Sequence, residues 1–387
     1  EYGGFKNSAT DMNTSIDATA KAIISLKGLQ VVNQTIYDGA TLYISGHEQF
    51  GGGYSIESVS NMPTLRATYW AISALSSMQS TDWVSESTIE WIVNRQLLNK
   101  SESWSYGGFE NKGNTSTTTT EYSYFGIVSL SLLAQINLIN KTAAAFYLRD
   151  RQLKDGGFES MDGIGYSDLT STFYAISALT VLNGLELINR TGVISFLKQR
   201  QNLNITDSAN YGGFGNAPNV SCNVIETFFA INCLHTLNAL DNINLSAAVL
   251  YLESLQLSSG AFTIARGIDQ PSISFSYYAL SALNILALYE DNIDQQGFNP
   301  ILLYVFIIGI VGISSFLVIN RYRKKNITKR IIRISRKGKK PSISEERLVS
   351  FERTKTFKLL FARFGKWRGH LLEKLRDVRN QLIRIGK

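Results

Sequence analysis

The chain has 387 residues, of which 44% are hydrophobic, enough for one large domain with a core and further segments attached to it. Its net charge of +7 averages two unlike parts. Residues 321–387 hold 23 Lys and Arg against 5 Asp and Glu, a net of +18, so the first 320 residues carry −11. This excludes a uniformly basic protein, because the larger part of the chain is acidic.

A unit of about fifty residues recurs through the first three quarters of the chain. Its clearest copy is Gln152 to Leu179, with a tight Asp-Gly-Gly-Phe turn at 155–158, a polar loop and a predicted helix from Ser171. Glycine pairs begin at Gly3, Gly52, Gly107, Gly156 and Gly212, and Gly260 opens a degenerate copy. A period of this length predicts supersecondary units that bury their apolar faces against one another.

Each turn is followed by a predicted helix, and a second helix precedes the next turn. The post-glycine helices are predicted at 19–26, 68–75, 123–130, 172–179, 227–234 and 276–283, and 142–152 typifies the second kind. Eleven such helices are expected, from one near Asp17 to one ending near Tyr289. Since the chain opens inside a repeat at Tyr2, a twelfth helix and any signal peptide are expected upstream of this fragment.

The pattern of these repeats resembles that of a known superfamily. Gln-x-x-Asp-Gly-Gly-Phe, followed by a helix with a Ser/Thr-aromatic-aromatic-Ala sequence, is similar to the repeat of protein prenyltransferase β-subunits and triterpene cyclases. The resemblance covers roughly residues 1–295. It implies an all-α fold, an α/α toroid of about six helix pairs, in which the post-glycine helices line a central cavity.

In that family, aromatic residues on the lining helices hold an isoprenoid and face its positive charge. The resemblance therefore implies a set of cavity-lining candidates, although the same rings are equally suited to packing between the two helix layers. These candidates are Tyr69, Trp70, Tyr122, Tyr124, Phe125, Phe173, Tyr174, Phe228, Phe229, Phe275, Tyr277 and Tyr278.

Charged residues at the N-terminal ends of the same helices are candidates for the cavity rim. They are Asp17, Arg66, Glu121, Asp168 and Glu226. A solvated rim is favoured over catalysis for this set, and the catalytic residues stay unassigned.

The catalytic signatures of the superfamily are not matched. The zinc ligands of protein prenyltransferases, an Asp, a Cys and a His, correspond to Asn223, Ile225 and Phe275 here. No cofactor is therefore predicted. The Asp-x-Asp-Asp acid motif of triterpene cyclases is reduced to the single Asp17. Two functions remain open: a non-catalytic domain that binds an isoprenoid, another ligand or a protein, which is preferred, and a divergent isoprenoid enzyme.

Residues 301–319 contain no charge over nineteen positions, about the thickness of a bilayer core, and a basic cluster follows at 321–325. They are predicted to form a single transmembrane helix, with the toroid (1–295) outside the cell membrane and the tail (321–387) in the cytoplasm. The tail has helical apolar spacing, which favours an amphipathic helix on anionic headgroups over nucleic-acid binding or a solvated disordered segment.

Nine Asn-x-Ser/Thr sequons precede this segment, which is compatible with an extracellular glycoprotein. Four share one register just before the second helix of a repeat, at Asn33, Asn140, Asn189 and Asn244. The Ser or Thr of each is predicted to cap that helix, which explains the register without a glycan.

Overall fold

The computed structural model describes residues 3–29, 33–56, 62–113, 117–218 and 220–293, and the side chains of 290–293 are outside that description. These residues form eleven α-helices and four short 3₁₀-helices, with no β-strand among them. Six inner helices are α1 (Ile16–Gly28), α3 (Leu65–Ser77), α5 (Thr120–Leu132), α7 (Leu169–Val181), α9 (Val224–Thr236) and α11 (Ile273–Ile293). Five outer helices are α2 (Gln34–Ser45), α4 (Glu86–Val93), α6 (Lys141–Arg149), α8 (Arg190–Lys198) and α10 (Leu245–Ser254).

The inner helices form a closed ring. Each packs beside the next in chain order, and α11 packs against α1. The closure is held by Asn7, whose carbonyl oxygen accepts from the Ile273 N–H at 2.7 Å and whose Oδ1 accepts from the Ser274 N–H at 3.0 Å. The predicted all-α toroid and its eleven helices are confirmed, and six inner helices are enough to close it. The twelfth helix stays a prediction.

The glycine turn connects each outer helix to the following inner helix. Gly156 has φ +94°, and a Cβ there would lie 2.2 Å from the carbonyl carbon and oxygen of Gly192 in α8. Gly157 lies against the ring of Phe196 on the same helix. The first glycine is therefore required both for its backbone conformation and for the close approach of the turn to an outer helix.

A hydroxyl group fixes each inner helix to its turn. The Phe158 N–H donates to Thr172 Oγ1 at 3.0 Å, and Thr172 Oγ1 donates to the Asp168 carbonyl oxygen at 2.7 Å. The corresponding N–H to hydroxyl bond recurs in the other five copies at 2.9–3.2 Å, from Phe5 to Thr19, Tyr54 to Thr68, Phe109 to Ser123, Phe214 to Thr227 and Phe262 to Ser276. Residues at equal distances from this hydroxyl therefore occupy equivalent places on the six inner helices.

The sequon register has a different cause from the one predicted. Asn33, Asn140, Asn189 and Asn244 are themselves the N-caps of α2, α6, α8 and α10. Each Oδ1 accepts from the N–H three residues later, at 2.9–3.0 Å. The prediction that the Ser or Thr supplies the cap is wrong, because those residues already lie within the first turn of the helix.

Among the described residues, no helix combines the length and apolarity needed to cross a bilayer. The segment 301–319, for which a transmembrane helix is predicted, and the tail 321–387 lie outside the described residues.

Candidate functional site

A cavity of about 180 Å³ lies among the inner helices. It is lined by ten aromatic and two polar residues: Tyr69, Trp70, Tyr124, Phe125, Phe173, Tyr174, Ser177, Phe228, Phe229, Asn232, Tyr277 and Tyr278. The ring faces and apolar edges suit a hydrophobic ligand, and the phenol, hydroxyl and amide groups are the polar points of the wall.

Two layers of side chains build the wall. The residue directly after each anchoring Ser or Thr belongs to the first layer: Ala20, Tyr69, Tyr124, Phe173, Phe228 and Tyr277. The next residue along belongs to the second layer: Lys21, Trp70, Phe125, Tyr174, Phe229 and Tyr278. Ten of the twelve positions are aromatic and line the cavity, whereas the two positions on α1, Ala20 and Lys21, do not line it.

The rings also pack against one another, so both roles considered for them are present. Phe173 and Phe229 stack with their centroids 4.2 Å apart at an interplanar angle of 13°. Tyr69 and Tyr124 share a hydrogen bond of 2.8 Å between their hydroxyl groups. This packing leaves a cavity smaller than the ~300–1,000 Å³ of sites for drug-sized ligands, and close to the ~150 Å³ that holds a benzene molecule.

Phe275 does not line the cavity, contrary to the prediction, and neither does Tyr122. Both residues directly precede the anchoring Ser of their helix, two positions before the first layer. Because a helix turns by about 100° per residue, they lie about 200° around the helix from the first-layer residue. Both are half-buried and pack against the core instead.

Ser177 and Asn232 were not predicted from the sequence. Each lies four residues after the first-layer residue of its helix, so it shares that face one turn further on. This spacing is the signal that identifies them.

Lys21 is a third residue of interest that was not predicted from the sequence. It is buried, and its Nζ lies 4.6 Å from the ring centroid of Trp70 and 5.4 Å from that of Tyr278. The ammonium donates to Ser274 Oγ at 3.2 Å. Burial lowers the pKa of Lys21 to about 8, with the nearby Arg66 also lowering it and Asp17 opposing the change. A partly neutral amine therefore lies beside two rings of the cavity wall.

Three of the five predicted rim residues lie close together on neighbouring inner helices. Arg66 donates to Asp17 Oδ2 through Nε at 3.0 Å and through NH2 at 2.9 Å. Glu121 accepts from the hydroxyl of the cavity-lining Tyr174 at 3.5 Å. Burial raises the pKa of Glu121, although Arg66 and the Tyr174 hydroxyl oppose the shift. The only rim cation of the predicted set is thus already paired with a carboxylate.

The other two predicted rim residues have structural partners. Asp168 is the N-cap of α7 and accepts from the N–H and the hydroxyl of Ser171, both at 2.7 Å. Glu226 is half-buried and accepts from Thr170 Oγ1 at 3.3 Å. Burial, and secondly the charge of Asp168, raises the pKa of Glu226 to about 7.

The positions that correspond to the family zinc ligands do not form a metal site. Asn223 is the N-cap of α9, and its Oδ1 accepts from the N–H groups of Ile225 and Glu226 at 3.0 and 2.9 Å. Across the described ranges, no three His, Cys, Asp or Glu side chains come together as metal ligands. Ile225 and Phe275 offer no donor atom, so zinc does not fit these residues.

Comparison with known proteins finds solved structures that are similar to this chain. Among solved structures, the chain is similar to the Candida albicans protein geranylgeranyltransferase-I complexed with GGPP, with 19% identity, a TM-score of 0.59, and coverage of 76% of this chain and 90% of that chain. It is also similar to the apo type II terpene cyclase from Scytonema, with 13% identity, a TM-score of 0.49, and coverage of 74% and 91%. A search of curated proteins gave no match.

Identities this low bear on the fold alone. The assignment to a family comes instead from a family model for the prenyltransferase alpha-alpha toroid domain, which matches residues 1–188 and 166–305. These matches span more than half of the chain and coincide with the closed ring of inner helices. The chain therefore belongs to the family of the prenyltransferase alpha-alpha toroid domain.

Proposed function

We propose that the toroid binds the apolar end of an isoprenoid lipid and does not transfer it. The observation that carries this proposal is the cavity, whose wall includes ten aromatic side chains from five inner helices. Such a wall binds branched hydrocarbon by excluding it from water, and ring faces tolerate the double bonds of a prenyl chain.

The size of the cavity limits the part of the ligand that binds. A volume of about 180 Å³ accommodates one five-carbon unit readily, by comparison with the ~150 Å³ cavity that holds benzene. Burial contributes about 0.8 kcal/mol per CH₂, so a five-carbon unit gains roughly 4 kcal/mol, which corresponds to about millimolar affinity. Longer chains gain further affinity only if they displace aromatic rings.

The charges at the N-terminal ends of the inner helices favour a neutral ligand. Arg66 is engaged by Asp17, and Glu121, Asp168 and Glu226 add acidic groups near the N-terminal ends of the inner helices. A diphosphate would compete with Asp17 for Arg66 and be repelled by the ionised members of this set. We therefore expect prenyl alcohols to bind at least as tightly as their diphosphates.

A divergent isoprenoid enzyme is the second candidate, and one contact favours it. Glu121 is hydrogen-bonded to the cavity-lining Tyr174 and has a raised pKa, so this carboxyl group holds a proton more readily than an ordinary glutamate. Protonation of an alkene requires a strong acid, however, and a raised pKa makes the group a weaker one. Binding without chemistry is therefore the preferred function.

We also propose that the toroid lies on the extracytoplasmic side of a cell membrane, where lipid ligands are concentrated. The support is the uncharged segment 301–319, followed by the basic cluster at 321–325 and a tail of net charge +18 that suits anionic headgroups. Protease added to intact cells should remove the toroid and spare the tail. A toroid protected until the cells are opened would refute this orientation.

Calorimetric titration of the full chain in detergent tests the binding proposal. The ligands are 3-methylbut-2-enol, geraniol, farnesol and geranyl diphosphate. We expect the five-carbon and ten-carbon alcohols to bind, with little gain beyond five carbons, and the diphosphate to bind no better than geraniol.

Two matched variants locate the binding. Phe229→Leu changes a ring of the cavity wall, and Phe275→Leu changes a half-buried ring of the toroid outside the wall. The first should weaken geraniol binding several-fold and the second should leave it unchanged. Equal effects, or no binding of any alcohol, would refute the proposal. Preference for the diphosphate, or release of a transfer product, would establish instead that the protein is a divergent isoprenoid enzyme.

A further inference from the structure

The six second-layer positions of the inner helices include one residue of a different chemical kind. Five of them supply rings to the cavity wall, Trp70, Phe125, Tyr174, Phe229 and Tyr278, and α1 carries Lys21 at the sixth, beside the wall and not in it. Lys21 is 3% exposed, which makes it the one buried lysine among the described residues. A buried ammonium is costly because its hydration is lost, and a packed layer of this kind would accept a sixth ring or an aliphatic side chain instead.

The contacts of Lys21 leave part of its bonding capacity unused. Its Nζ has one hydrogen-bond acceptor, Ser274 Oγ at 3.2 Å, and otherwise lies over the rings of Trp70 and Tyr278. Both rings belong to the cavity wall. The amine therefore lies beside the wall, and a ligand group reaches it from the cavity by passing these two rings.

The surroundings of Lys21 favour its reactive form. Burial lowers its pKa to about 8, so about half of the side chains are neutral at that pH and carry the free electron pair of a nucleophile. The charged groups that act on it are Asp17 on its own helix and Arg66 on α3, and the ring centroid of Tyr278 on α11 lies 5.4 Å from Nζ. Asp17 Oδ2 is held by Arg66, whereas Asp17 Oδ1 is buried without a hydrogen-bond partner.

From this geometry we propose that Lys21 forms an imine with a small apolar aldehyde held in the aromatic cavity. The proposal deepens the binding function above and rests on it, since the aldehyde must first enter the cavity. The ligand class is a branched, unsaturated aldehyde. One of about five carbons matches the size of the cavity and the aromatic wall, and one of about ten carbons fits only if it displaces aromatic rings.

The reaction balances without an oxidant or a reductant. The Nζ electron pair attacks the carbonyl carbon, the π pair of the C=O bond moves to oxygen, and one Nζ proton passes to that oxygen through the Ser274 hydroxyl. In the resulting carbinolamine, the nitrogen electron pair forms the C=N bond as the C–O bond breaks and hydroxide leaves. The hydroxide takes the remaining N–H proton through the Ser274 hydroxyl, so the products are a neutral imine and one water molecule. The buried position of Nζ limits the water that reverses this step.

Reductive trapping tests the proposal on the full chain in detergent. The protein is incubated with 3-methylbut-2-enal or citral and sodium cyanoborohydride, digested, and analysed by peptide mass spectrometry. We expect Lys21 to gain the mass of the aldehyde less one oxygen atom, at a rate that saturates with aldehyde and rises through about pH 8. The exposed Lys141 serves as the internal control and should react more slowly, without saturation.

Two variants and one competitor sharpen the result. Lys21→Met should abolish the saturable adduct, and Lys141→Met should leave it unchanged. Excess geraniol should slow the labelling of Lys21 but not that of Lys141.

If geraniol binds and Lys21 does not react faster than Lys141, the imine proposal is wrong and the binding function stands. If Lys21 reacts regardless of geraniol, the amine is reactive but not through the cavity, which overturns this proposal. If neither geraniol nor the aldehyde binds, both proposals fail.

Discussion

Replacing Gly156 with Ala is expected to destabilise the toroid more than replacing Gly163 with Ala. Both glycines lie in the segment that connects α6 to α7, and both have positive φ, +94° and +80°. They differ in their surroundings. A Cβ at position 156 would lie 2.2 Å from the carbonyl carbon and oxygen of Gly192, whereas a Cβ at position 163 meets no atom within 4 Å.

The difference isolates the contact between the turn and α8. An L-residue in the left-handed region costs about 1–2 kcal/mol, and both variants incur this cost. Overpacking against a fixed backbone adds about 1–3 kcal/mol, and only the Gly156 variant incurs it. We therefore expect a loss of about 1–2 kcal/mol for Gly163→Ala and about 2–5 kcal/mol for Gly156→Ala.

Chemical denaturation of the full chain in detergent, followed by far-UV circular dichroism, measures both free energies of unfolding. Because the two variants share the backbone cost, the difference between them reports the steric contact alone. Equal losses would refute the reasoning, since they would mean that the turn does not press against α8. A Gly163 variant less stable than the Gly156 variant would refute it as well.

Three further predictions concern a helix cap, a carboxyl group and a metal. Asn189→Ala should lower the free energy of unfolding by about 1 kcal/mol through loss of the cap on α8, and Asn189→Asp by less, because an acceptor oxygen remains; equal losses in denaturation experiments would contradict the capping role. Glu226 has a folded pKa of about 7 against an ordinary 4.5, so the folded state binds the additional proton, and stability should fall as pH rises between these values. Glu226→Gln should flatten that part of the stability profile, and an unchanged slope would argue against the shift. After mild chelation, elemental analysis should find no stoichiometric zinc. The three positions that correspond to the family zinc ligands carry Asn223, which caps a helix, and Ile225 and Phe275, which offer no donor atom. One tightly held zinc per chain would reveal a different ligand set.

The helices of the toroid follow from local chemistry, and the sequence was sufficient to locate them. Each glycine pair sets a positive φ, each anchoring Ser or Thr bonds back to its own turn, and each inner helix begins within a few residues of that hydroxyl. These contacts join residues close together in the chain, as with Phe158 and Thr172. The sequence also placed Tyr69, Phe173 and Phe228 on lining helices, because their offset from the hydroxyl is fixed.

Other features depend on which helices become neighbours, and the tertiary structure alone decided them. The pairing of Arg66 with Asp17 and the position of Lys21 beside Trp70 and Tyr278 join residues far apart in the chain, and the second brings α1 against α11. The cavity volume of about 180 Å³ is what remains after ten rings have packed together, and it depends on all of their orientations at once. A repeat pattern specifies the offset of each side chain along its own helix, but the space enclosed by six helices is a property of the closed ring.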